Sequence, residues 1–128
     1  MNEDFVPYKL AVKLKEKGFN DKCNAYYEPI GHCLNLSRVF NTNSIAEIYK
    51  CVTAPTISQV LKWLREKKIY IVIAVNPTLS TKDKIAYYYQ IYFNSTGVGS
   101  DYYESEECYA QWEECATDSI KYVIDNLI

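Results

Sequence analysis

Two alternating runs constrain this chain most. Ile69, Ile71, Ile73 and Val75 alternate with Tyr70, Val72 and Ala74, and Ile85, Tyr87, Tyr89, Ile91 and Phe93 alternate with Ala86, Tyr88, Gln90 and Tyr92. A period of two in β-branched and aromatic residues is the pattern of a half-buried strand. The first run stops at Asn76-Pro77, because proline cannot continue a central ladder. The two runs are expected to pair as antiparallel neighbours, with the isoleucines, Tyr87, Tyr89 and Phe93 facing a core. Strand parity then sends Tyr70, Tyr88, Gln90 and Tyr92 to the opposite face together.

Helical periods flank these strands. Pro7 suits a first helical turn, and Leu10, Ala11 and Leu14 form a stripe that closes at Gly18, predicting a helix over about 6–17. Thr56-Ile57-Ser58-Gln59 has the spacing of a reciprocal cap. Ile57, Val60, Leu61 and Leu64 follow as an apolar stripe with Trp63 at its margin, predicting a helix over about 57–67. Trp112, Ala116, Ile120, Val123 and Leu127 lie on one face of a terminal helix assigned to 105–127, with Trp112, Ile120 and Val123 as core.

The remaining stretches are less regular. Cys23–Glu28 and His32–Leu36 around Pro29-Ile30-Gly31 read as a hairpin. Asn41–Ser44 reads as a loop, Ile45–Val52 as an edge strand, and Gly97 and Gly99 as a turn. The expected fold is α+β, with one mainly antiparallel sheet of about four strands and three helices, in the order α-β-β-α-β-β-α. At 128 residues a single domain spanning 1–128 is the default. Within it, Leu14-Lys15-Glu16-Lys17 overlies Leu64-Arg65-Glu66-Lys67 after a shift of fifty, which suggests a pseudo-repeat of 5–50 on 55–100.

No apolar run approaches the roughly 20 residues of a membrane-spanning helix. The acidic start lacks the basic and apolar regions of a secretory signal. Five cysteines without a paired framework read as reduced, mostly buried residues, so the expected setting is cytoplasmic, with no cofactor. The net charge of −2 conceals an asymmetry, because residues 101–128 hold eight acids against Lys121 alone.

Phe5-Val6-Pro7-Tyr8-Lys9-Leu10-Ala11, the segment from Ala54 to Arg65, and Ile120–Leu127 resemble a family of small uncharacterised proteins. That family is encoded in genomes, prophages and mobile elements of Bacteroides-type gut bacteria. The resemblance implies a bacterial, phage-derived setting and assigns no site residue.

Several constellations bear on chemistry. His32 beside Cys33 has the composition of a thiolate–imidazole pair, but neighbours on a strand diverge. Cys23, His32, Cys33 and Cys51 are soft ligands without the close pairing of a zinc site. Cys108 and Cys115 are seven apart, one face of the last helix if it starts early enough. The acids Glu106, Glu107, Glu113 and Glu114 suit a solvated helix start. No catalytic signature is present.

The unusual feature is tyrosine, thirteen residues in all. Tyr70, Tyr88, Gln90 and Tyr92 form the candidate binding surface, unless a further helix covers that face. Protein binding or self-association ranks first among the functions. An enzyme or metal-dependent module around Cys33 and His32, and a nucleic-acid-binding accessory protein using the Lys62–Lys68 region, are the alternatives. The net acidic charge ranks nucleic acid below protein.

Overall fold

Pro7 holds an extended φ of −63° and ψ of 158°, so it caps the first helix from outside instead of forming its first turn. That detail comes from a computed structural model, which describes residues 4–37, 41–93 and 101–128. Within them the chain is α+β, with four helices and two three-stranded antiparallel sheets. By contacts it divides into two compact units, residues 1–59 with Ile128, and Val60–Leu127.

The first unit comprises α1 (Tyr8–Glu16), β1 (Ala25–Tyr27), β2 (Leu34–Leu36), α2 (Asn43–Ile48) and β3 (Val52–Thr53). The expected hairpin forms, with Ala25 opposite Leu36 and Tyr27 opposite Leu34, and β1 pairs with β3 on its other side. Its turn places Gly31 at φ 77° and His32 at φ 53°, and Glu28 N–H closes it on Cys33 O at 3.0 Å. Leu10, Ala11 and Leu14 are buried as their spacing requires, together with Val6, Phe19 and Ala25. The Tyr27 hydroxyl donates to Val6 O, joining the segment before α1 to the central strand.

The edge strand expected over 45–52 is a correction, because Asn43–Ile48 is helical and only Val52 of that range is in a strand. The isoleucines misled. Ile45 and Ile48 are exposed, and α2 buries Asn43 and Ala46 instead. Thr42 caps it, accepting from Ile45 N–H at 3.4 Å.

The second unit takes up the chain within α3 (Ile57–Glu66) and continues through β4 (Tyr70–Val75), β5 (Tyr87–Phe93), β6 (Asp101–Glu104) and α4 (Trp112–Asn126). The cap of α3 is reciprocal as predicted: Thr56 N–H donates to Gln59 Oε1 at 2.9 Å, and Gln59 N–H to Thr56 Oγ1 at 3.2 Å. Ile57, Val60 and Leu64 are buried, but Trp63 is also buried while Leu61 is only half-buried. The apolar face is rotated toward the indole.

The sheet order is β4-β5-β6, and α4 packs on β4 and β5. A single four-stranded sheet with three helices was therefore too simple: β3, β6 and α2 are additional, and the strands separate into two sheets. The terminal helix begins at Trp112, not 105, because the preceding chain is taken up by sheet pairing. Asp101–Glu104 forms β6, and Tyr109 and Tyr87 exchange backbone hydrogen bonds of 2.8 Å in both directions. Trp112, at the first turn, is consequently half-buried, whereas Ala116, Ile120 and Val123 are fully buried. Ile85 precedes β5 and is exposed, contrary to its expected place in the core. The turn at Gly97 and Gly99 lies outside the described residues.

One local geometry recurs. At the end of α1, Phe19 N–H bonds Leu14 O at 2.9 Å and Gly18 N–H bonds Lys15 O at 3.0 Å, with Gly18 at φ 90°. Lys50 (φ 59°) and Lys68 (φ 64°) end α2 and α3 through the same pair of bonds, made by Cys51 and Lys50 and by Ile69 and Lys68. This is the Schellman stop, and each left-handed residue is followed by a buried apolar one: Phe19, Cys51 or Ile69. Leu14–Lys17 and Leu64–Lys67 thus share this helix ending, which α2 reaches with different residues. Lysine pays a steric penalty in this region that glycine does not. Lys68→Gly should raise stability by about 0.5–1 kcal/mol after the greater freedom of an unfolded glycine is counted. The urea midpoint measures it, and a lower midpoint would contradict it.

Candidate functional site: the tyrosine face of the second sheet

Strand register assembles the face. Tyr70 opposes Tyr92, Val72 opposes Gln90, and Ala74 opposes Tyr88, while on the other side of β5 Tyr92 opposes Tyr102 and Gln90 opposes Glu104. Directly opposed residues project to the same side of a sheet. Tyr70, Tyr88, Gln90 and Tyr92 therefore share one face, with Val72 and Ala74 between them and a row of Tyr70, Tyr92 and Tyr102 across all three strands. Tyr70 is 38 %, Tyr92 37 %, Tyr102 48 % and Val72 43 % exposed, so this row meets solvent. Tyr88 and Gln90 are half-buried.

Tyr102 and Glu104 are members of this face that sequence reasoning missed. The signal was the alternation within Asp101-Tyr102-Tyr103-Glu104, which is too short and too acidic to stand out beside the glutamates that follow. The rings of Tyr92 and Tyr102 lie 5.1 Å apart at 47°. The Tyr102 hydroxyl donates to Glu104 Oε1 at 2.9 Å, and Gln90 Nε2 donates to the Tyr102 oxygen at 3.1 Å and to Glu104 at 3.4 Å. These bonds hold one carboxylate and one ring in a fixed relation at the surface. The surface offers flat apolar area, hydroxyls and a single negative charge.

The other face carries a second set of tyrosines with a different role. Tyr89 and Ile91 are buried, Tyr103 stacks on Tyr122 of α4 at 3.9 Å and 9°, and Tyr89 lies 6.1 Å from Tyr103 and 6.2 Å from Tyr109. Burial pushes the Tyr89 and Tyr109 hydroxyls well above the ordinary phenol range, and for Tyr109 a hydrogen bond to Asp118 adds to the effect. Both remain protonated in the neutral range, Tyr89 bonded to Tyr103 within the sheet and Tyr109 to Asp118 of α4. A shallow cleft of about 240 Å³ opens among Tyr89, Tyr109, Asp118, Lys121, Tyr122 and Asp125.

The remaining candidates are dispersed. His32 lies in the hairpin turn and not on a strand, since β2 begins at Leu34, and its ring stacks on Tyr8 at 3.7 Å and 13°. Cys33 is exposed. Cys23 and Cys51 are buried, and burial pushes the Cys23 thiol up to about 11. Among the described residues no three His, Cys, Asp or Glu side chains gather to hold a metal ion. Cys108 precedes α4 and is exposed, so it shares no helix face with the buried Cys115, whose thiol burial pushes up to about 12. Glu106, Glu107, Glu113 and Glu114 are all exposed.

The first unit has an open cleft of about 580 Å³, lined among others by Tyr8, Lys15, Asn20, Ser44 and Glu47. No described helix is long and apolar enough to cross a membrane. No protein family, curated protein or solved structure matches the chain.

Proposed function

We propose that this chain is a non-catalytic protein-binding module that engages its partner through the tyrosine face of β4, β5 and β6. The carrying observation is the exposed cross-strand row of Tyr70, Tyr92 and Tyr102 beside Val72. Tyrosine brings a large apolar ring and a polar tip with little rotamer freedom to lose, so an ordered row of them is suited to recognition. The chemistry of the face favours protein over nucleic acid. Its one charged side chain is Glu104, and a phosphate backbone needs cations that none of these residues supplies. A partner contributing arginine or lysine would gain both ring contacts and the Glu104 carboxylate. The five free thiols suit a reducing cytoplasm, and the resemblance to phage and mobile-element proteins fits that setting.

Replacing Tyr88 and Tyr92 together by serine tests this reading. The double variant is expected to keep its circular dichroism and cooperative melt. In quantitative affinity capture from a bacterial lysate it should lose proteins that the wild type retains, by roughly tenfold or more, about 1.4 kcal/mol of binding. Unfolding of the variant would assign the rings to the core, and an unchanged capture profile would remove the face from recognition.

A further inference from the structure

The two edges of the β4-β5-β6 sheet are built differently. β6 has four residues, Asp-Tyr-Tyr-Glu, with an acid at each end. β4 has six, Tyr-Ile-Val-Ile-Ala-Val, without charge or proline, and its one neighbour among the described residues is β5. No residue of β4 is buried, and Val75 at its end is 48 % exposed. In the first unit the sheet edges are short, three residues in β2 and two in β3. Native sheets blunt their edges by shortness or by charge, and β4 uses neither.

The orientation of its backbone follows from the far side of β5. Tyr87 exchanges hydrogen bonds with Tyr109, and Tyr89 O accepts from Ser105 N–H at 3.0 Å, so the odd-numbered residues of β5 direct their backbone groups toward the β6 side. Antiparallel pairing alternates. Tyr88, Gln90 and Tyr92 therefore bond to their partners Ala74, Val72 and Tyr70, a series that Asn76 N–H continues on Ala86 O at 2.7 Å. Ile71, Ile73 and Val75 point their N–H and C=O groups away from β5, along the open edge.

We propose that a second copy of this chain occupies that edge, β4 against β4, antiparallel about a two-fold axis at Ile73. The proposal rests on reading this sheet as an association surface and names its occupant. In this register Ile73 meets its own copy and Ile71 meets Val75 of the other chain, so every outward-directed residue finds a partner and about six backbone hydrogen bonds form. Val72 falls opposite Ala74, which preserves parity and merges the two tyrosine faces into one face of a continuous sheet. No charge on the strand opposes the approach. A two-fold contact uses the same edge twice, and the acidic β6 edges stop further growth, so the assembly closes as a dimer.

Sedimentation of the full chain over a concentration series, combined with amide hydrogen exchange, tests this. A dimer is expected, and its formation should protect the amides of Ile71, Ile73 and Val75, while those of Val72 and Ala74 are protected at every concentration. Ile73→Pro deletes an outward N–H without breaking a bond to β5, and should weaken the dimer roughly tenfold or more. If that variant loses its fold, Val75→Pro at the exposed strand end replaces it. A chain that stays monomeric at its highest soluble concentration overturns the proposal but leaves binding of another protein by the tyrosine face intact. A dimer whose three alternating amides stay unprotected, and which Tyr88→Ser/Tyr92→Ser abolishes, also overturns it and assigns the contact to that face.

Discussion

Phe19→Ala is expected to cost about 3–5 kcal/mol, the range for emptying a large buried aromatic site. Phe19 is 1 % exposed and heads the largest fully buried side chains. Its position makes the cavity hard to relieve. The preceding Gly18 is left-handed, its own N–H is bonded to Leu14 O, and its carbonyl accepts from Asn43 Nδ2 at 2.6 Å. With the backbone held at both ends, neighbouring groups cannot collapse into the space without giving up those bonds. Against a total stability of about 5–15 kcal/mol for a domain, the loss would leave the protein marginal or unfolded. Urea unfolding of the variant measures it, and a loss below about 1 kcal/mol would show that the ring is not a core element.

Asn43→Ala should cost about 2–4 kcal/mol, more than a helix-start asparagine ordinarily would. The side chain is 5 % exposed and satisfied at both ends, donating to Phe19 O and accepting from Thr53 N–H at 3.0 Å. It joins the end of α1, the start of α2 and β3. Alanine removes one partner from a buried carbonyl and one from a buried N–H, at about 1–3 kcal/mol each before local relaxation.

Asn43→Asp separates the two bonds. It keeps the acceptor for Thr53 but turns an oxygen toward Phe19 O, so the folded state favours the protonated acid and raises its pKa above the unfolded value of about 3.9. The folded form then binds more protons, and stability of this variant falls as pH rises from the unfolded pKa through the folded one. Equal stability of Asn43→Asp and wild type at neutral pH would refute the assigned bonding.

The endings of α1 and α3, the cap of α3 and the parity of β4 and β5 were legible in the sequence for one reason. Each depends on residues a few positions apart. Thr56 and Gln59 meet wherever a helix starts at Ile57, and Tyr70, Tyr88 and Tyr92 share a face wherever their strands pair in even register. The α2 segment was not legible, because Ile45 and Ile48 carry a strand's composition while burial falls on Asn43 and Ala46. A hydrogen bond to a carbonyl 24 residues away leaves no periodic trace. The same holds for β6 and the late start of α4: Glu106 and Glu107 resemble a helix N-terminus until Tyr109 is held against Tyr87.

The tyrosines make the division clearest. By composition the thirteen are alike. Alternation sorts those on one strand into two sides but assigns neither side to solvent. That assignment waits on α4, which packs on β5 and stacks Tyr122 on Tyr103, leaving Tyr89 buried and Tyr70, Tyr92 and Tyr102 on the open face. Local conformation is written in near neighbours and periodicity. Which strands become neighbours, which face a helix covers and which edge stays open depend on backbone hydrogen bonds and packing between distant segments, and backbone groups are the same in every residue but proline.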